Sequence, residues 1–163
     1  MNQKEIILDH LQAMGFEIDE LGDSGYVFNY EDVNYVYIPE EEDQQFLRIV
    51  IPNMFDVTDE NRDAVLEASN EVSVRLKYAK VSIMHETSVW AVYEHYLHTT
   101  ENLYELLEHI IQSLAATAQF FHQSIEGEEV VPRFWEGDDE LNDALEAELQ
   151  SVLKEIEENE MSN

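Results

Sequence analysis

A chain of 163 residues with 37 acidic and eight basic side chains carries a formal charge of −29 at pH 7. Such a surface repels phosphate backbones and anionic membranes, because little Lys or Arg is present to displace their counterions, so nucleic-acid and membrane-surface binding are disfavoured. The 44% hydrophobic content fits one folded domain with a real core, and the absence of cysteine removes disulfides, thiolate chemistry and Cys-ligated zinc.

The N-terminus has only three consecutive apolar residues, Ile6-Ile-Leu8, before a charge. It is not a signal peptide, and no apolar run approaches the ~20 residues of a membrane span. The expectation is a soluble cytoplasmic protein. Asn2 is placed to cap a first helix, with Glu5 reaching back to it. Ile7, Leu11 and Met14 fall on one stripe, and Gly15 ends the helix.

From Phe16 to Ile51 the apolar period changes from helical to two. Gly22-Asp-Ser-Gly25 turns the chain into Tyr26–Tyr30, Glu31-Asp32 separates this from Val33–Ile38, and Phe46–Ile51 follows an acidic break. A further strand is expected near Phe16–Leu21. The pattern predicts an antiparallel meander that Pro52-Asn53 closes. Both of its faces carry apolar side chains: Leu47, Ile49 and Ile51 on one, Phe46 and Val50 on the other with Arg48. Both must be covered, helices taking one side and something else the second.

Thr58 is the expected N-cap of a second helix, with Val65, Ala68, Val72 and Leu76 as its buried stripe. Lys80–His85, a turn at Glu86-Thr-Ser88 and Val89–Leu97 predict a second hairpin. Thr99 or Thr100 should cap a long third helix, whose apolar face is Leu103, Leu106, Leu107, Ile110, Ile111, Leu114, Ala118, Phe121 and Ile125. After Gly127, Glu128–Gly137 reads as a linker with an apolar insert. An acidic helix follows from Asp138, with Leu141, Leu145, Leu149, Val152 and Ile156 at helical spacing.

This order of elements over residues 1–125, with Asn70-Glu-Val and Lys77-Tyr-Ala-Lys-Val81 at the turn out of the second helix, resembles the YbjN-like family, which is related in fold to the type III secretion chaperones. The resemblance implies an α+β domain over residues 1–126. Its antiparallel sheet, in α-β-β-β-α-β-β-α order, has helices packed mainly on one face; such domains are often dimeric and bind proteins rather than transform substrates. Residues 127–163, a linker and an acidic amphipathic helix, depart from that pattern. The residues have a physical reading beside it: Asn70 can satisfy backbone groups where the helix leaves for the sheet. Lys77 and Lys80 complement a helix C-terminus.

The aromatic side chains Tyr26, Phe28, Tyr30, Tyr35 and Tyr37, with Trp90, Tyr93 and Tyr96, concentrate on strands. The first five are candidates for partner contact, against the alternative that they are ordinary strand formers in a core. Phe134 and Trp135 join the candidates, either anchoring the C-terminal helix on the sheet, in the same subunit or across a dimer, or holding a partner. Six histidines among many carboxylates raise a metal site as the other possibility, but none repeats a recognised ligand spacing. Nor is there a G-x-S-x-G elbow, a P-loop or a G-x-G-x-x-G turn. The sequence therefore points to a non-enzymatic protein-binding module, chaperone-like or regulatory, without cofactor. It would bury a partner's apolar segment, with acidic rims selecting basic partners. The alternative is a metal-dependent enzyme using His85, His95 and His98.

Overall fold

The computed structural model describes residues 2–127; Phe134, Trp135 and the expected acidic helix lie outside them. The chain begins with α1, Gln3–Ala13, closed at its start as its sequence requires. The Asn2 side chain accepts from Glu5 N at 2.9 Å and Glu5 Oε2 accepts from Asn2 N at 3.2 Å. Two of the four orphan N–H groups at the helix start are thereby satisfied. Ile7 and Leu11 are fully buried.

The strands are β1 (Asp19–Glu20), β2 (Tyr26–Tyr30), β3 (Val33–Tyr37), β4 (Phe46–Asp56), β5 (Lys80–Met84) and β6 (Ser88–Tyr96). Among the described residues they form one antiparallel sheet in the order β1-β2-β3-β4-β6-β5. The expected strand near Phe16–Leu21 shrinks to two residues, because Phe16 and Ile18 pack into the core instead of pairing. Nor does Pro52-Asn53 end the meander. The register with β6 shifts between Ile51 and Phe55, and β4 runs on to Asp56. A bulge is where a central strand can hold proline, since the residue there owes no ladder hydrogen bond. Asn53 takes a left-handed φ of 52° at that point and accepts from Ser88 Oγ at 2.7 Å.

Helix α2, Arg62–Arg75, starts three residues later than Thr58 implies. Thr58 and Asn61 exchange hydrogen bonds, Thr58 N to Asn61 Oδ1 at 2.8 Å and Asn61 N to Thr58 Oγ1 at 3.2 Å. Asp59 and Glu60 sit in that turn, and the helix propagates only after it. Helix α3, Leu103–Glu126, likewise begins beyond Thr99 and Thr100. Thr99 Oγ1 accepts from Glu101 N at 3.1 Å, and Asn102, at φ 58°, turns the chain into the helix. At the far end Gly127 takes φ 73° and donates back to the Gln123 and Ser124 carbonyls. The left-handed backbone of such a cap carries no steric cost in glycine.

All three helices lie against one face of the sheet. Ile7 and Leu11 of α1 and Leu103, Leu107, Ile110, Ile111 and Leu114 of α3 cover Phe28, Tyr35, Tyr37, Leu47, Ile49, Ile51, Ala91 and Tyr93. A second cluster joins Val65, Ala68 and Val72 of α2 to Phe120 and Phe121 of α3 over Val89, Val81 and Ile83. Phe120 belongs to this core although the sequence stripe omitted it. Facing α2 as well as the sheet, α3 is apolar over more than one stripe. No helix of the described residues is long and apolar enough to cross a membrane.

Candidate functional site

Side chains alternate across a sheet, so the residues between those of the helix-covered face point the other way. Val27 pairs with Val36, Val36 with Val50, Val50 with Val92, and Val92 with Lys80. Four valines thus stand in one row across β2, β3, β4 and β6, between Asp19 on one edge strand and Lys80 on the other. Ile38 and Trp90 pack beside the row. No helix among the described residues contributes to this cluster.

The polar groups of this face gather one pair further along the β4–β6 ladder, where Arg48 stands opposite Glu94. Glu94 takes Arg48 Nε on Oε1 at 3.1 Å and Lys80 Nζ on Oε2 at 2.7 Å. The Lys80 hydrogen bond does most to hold the Glu94 carboxyl below its usual value. Partial burial opposes it, and Arg48 adds to the lowering. The Arg48 guanidinium also lies 4.8 Å from the centre of the Phe46 ring, a cation over an aromatic face. Nearer the β5–β6 turn, Trp90 Nε1 is buried without a hydrogen-bond partner among the described residues.

The structure places the sequence candidates elsewhere. Phe28, Tyr35 and Tyr37 are buried under α1 and α3, and Tyr26 and Tyr30 are half-buried at the same cluster. Phe28 stacks on Tyr35 with ring centres 5.4 Å apart, and Tyr26 on Tyr37 at 6.3 Å. Burial pushes the Tyr37 phenol up to about 12 and the Tyr35 phenol higher still. These five aromatics hold the helices to the sheet. They line the covered face because tyrosine and phenylalanine fill a broad sheet–helix interface that valine cannot. Phe134 and Trp135 lie outside the described residues.

The histidines do not assemble as the alternative requires. His85 sits in the β5–β6 turn at φ 53°, while His95 pairs with Leu47 at the other end of β6. Seven strand steps from Ser88 to His95 span about 23 Å at ~3.3 Å each, so His85 and His95 cannot share an ion. His95 does come near His98 and His109. Burial pushes its imidazole pKa down, and the neighbouring histidines push the same way. Tyr78, with φ 76° in the α2–β5 connection, presents its ring to His109 at 4.7 Å, edge to face. Among the described residues no group of three or more His, Asp or Glu side chains could hold a metal ion. A cleft of about 260 Å³ between the start of α1 and the β3–β4 loop is lined by Gln3, Lys4, Tyr37, Glu40, Glu41 and Asp43. It opens among surface carboxylates.

No protein-family model and no curated protein matches the sequence. Solved structures do match the fold. The crystal structure of YbjN from E. coli, a candidate transcription regulator, aligns with a TM-score of 0.57 at 6% identity, covering 76% of this chain and 92% of that one. The fold is YbjN-like. An uncharacterized protein from Methanothermobacter thermautotrophicus aligns with a TM-score of 0.56 at 14% identity, covering 77% of this chain and 97% of that one. At such identities the likeness is one of fold. Both matches take in almost the whole neighbour and leave about a quarter of this chain outside.

The helix-free valine row was the part of the site least marked in the sequence. Its signal was present in Val50 as the inverse of the Leu47-Ile49-Ile51 alternation. The register that aligns Val27, Val36 and Val92 with it comes only from the sheet.

Proposed function

We propose that the chain is a non-catalytic protein-binding module, chaperone-like or regulatory, working in the cytoplasm, and that it buries an apolar segment of a partner on the helix-free sheet face. One observation carries this reading: Val27, Val36, Val50 and Val92 in one cross-strand row, flanked by Ile38 and Trp90, on the side away from all three helices. An apolar strip on the second face of an antiparallel sheet needs cover. Its width suits an amphipathic segment laid across the strands. The Arg48–Glu94–Lys80 group at one margin gives that segment polar contacts that fix its direction. The YbjN-like fold supports a regulatory or binding role.

Site-specific photo-crosslinking in cells tests it. A photoreactive residue at Ser82, which pairs with Trp90 on this face, should give a discrete adduct with another protein. The same residue at Val74, exposed on the outside of α2, should not, and Val50→Lys should abolish the Ser82 adduct. Equal labelling from both positions, or a Ser82 adduct indifferent to Val50→Lys, would remove the face from consideration. An adduct with a second copy of the chain would make the face a dimer interface instead.

A further inference from the structure

We propose that the resident occupant of the helix-free face is the chain's own C-terminal segment, laid across the valine row by its apolar stripe Leu141, Leu145, Leu149, Val152 and Ile156. A partner then reaches the face only by displacing that segment. The inference rests on reading the face as a binding surface, and adds its regulation.

Four observations lead to this occupant. First, Val36, Val50 and Val92 keep only 6%, 1% and 6% of their surface, although none of the three helices lies over them. An open sheet face leaves side-chain tips in water. Second, Trp90 Nε1 is a buried donor without an acceptor among the described residues. Buried donors of this kind are almost always satisfied, and a segment crossing the face brings carbonyls and carboxylates to it. Third, charge admits the occupant. The face holds Arg48 and Lys80 against Glu94 and Asp19, a net of zero in a chain of −29, so an acidic segment meets less repulsion there than over the rest of the surface. Residues 132–163 hold eleven acids and two bases. Fourth, the dimensions agree. A helix from Leu141 to Ile156 is about 23 Å long at ~1.5 Å per residue. The row from β2 to β5 crosses four strand spacings, about 19 Å.

The connection is long enough. The end of α3 packs at the β5–β6 hairpin end of the sheet, where Phe121 meets Phe55 with ring centres 5.9 Å apart and both belong to the cluster of Val89. β5 is the edge strand, so the linker has one strand to round. Residues 128–137 reach as far as ~33 Å when extended. Held on so short a tether, the segment outcompetes free partners of equal intrinsic affinity until they approach the millimolar range.

The natural chain has no cysteine, which allows a disulfide trap in the full-length protein. The double variant Ser82→Cys/Leu145→Cys should close an intramolecular disulfide at monomer mass. It should form at least about tenfold faster than in Val74→Cys/Leu145→Cys, where the same segment must reach the outside of α2. As a second readout, Leu145→Glu/Leu149→Glu should raise binding of an apolar fluorescent dye several-fold, and Val50→Lys should lower that gain. Equal trapping rates in the two double variants overturn the proposal, as does a disulfide formed only between two copies. The two readings fail separately. A failed trap with an intact Ser82 adduct leaves a binding face without its own cover, whereas a closed trap with no adduct leaves a cover and no partner.

Discussion

Val50 and Val92 stand directly opposite each other on the two central strands, on the face away from the helices, with 1% and 6% of their surfaces exposed. The next pair on the same ladder, Ile49 and Tyr93, closes the other side beneath α3. One stretch of the β4–β6 pair therefore carries two cores back to back, which is what makes this sheet unlike one with a wet second face.

Truncating Val50 measures how dry that second face is. Val50→Ala removes two methyl groups, and at ~0.8 kcal/mol per buried carbon plus a cavity contribution it should cost about 1.5–3 kcal/mol. Chemical denaturation of the full-length chain, read from the urea midpoint at constant slope, gives the value. A loss under about half a kcal/mol would mean that water already reaches the side chain, as on an open face.

Ile110 is fully buried between α3 and the sheet. Ile110→Ala should cost about 2–5 kcal/mol by leaving a cavity that the surrounding aromatics cannot fill. The same urea titration tests it. Because Ile110 and Val50 lie on opposite sides of the sheet and belong to separate clusters, the two losses should add within about half a kcal/mol in the double variant.

The α+β class, the order of helices and strands and the apolar faces of α3 and β4 were legible from apolar period. Leu103, Leu107, Ile110, Ile111 and Leu114 repeat at helical spacing, and Leu47, Ile49 and Ile51 alternate. The capping pair of Asn2 and Glu5 was legible because both partners lie within one turn. What escaped depended on distant pairing. Pro52 looked like a terminator until the shifted register with β6 gave it a bulge to occupy. Tyr35 and Tyr37 stood open between partner contact and core, because composition does not say which face of β3 the helices take. The row through Val27, Val36, Val50 and Val92 belongs to four strands and has no period in the chain at all.

Glu94 gives a pH signature. Its carboxyl is held below its ordinary value of 4.5 by Lys80 first and by Arg48, so it releases its proton more readily folded than unfolded. The stabilisation is complete above the unfolded value and is lost as pH falls through the folded one. The three groups are partly exposed, which limits the effect to below about 1 kcal/mol. Glu94→Gln should flatten that part of the stability curve below pH 4.5, and added salt should shrink the difference between the two proteins. Parallel curves for wild type and variant would show that the bridge carries no folding free energy.

The buried phenols act at the other end of the scale, with the opposite sign. Burial penalises the phenolate and pushes Tyr37 up to about 12 in the folded chain from an ordinary 10.0, and Tyr35 is raised further for the same reason. Unfolded tyrosines thus lose protons first, and stability, complete below pH 10, falls as pH rises toward 12. The ultraviolet tyrosinate band should therefore rise in two stages, the second, from the buried pair, only with loss of helical circular dichroism. Tyr37→Phe should move that second, cooperative stage to higher pH, since one phenol no longer draws the chain open. A single tyrosinate transition, complete while the helices remain intact, would mean that Tyr35 and Tyr37 already meet water in the folded protein.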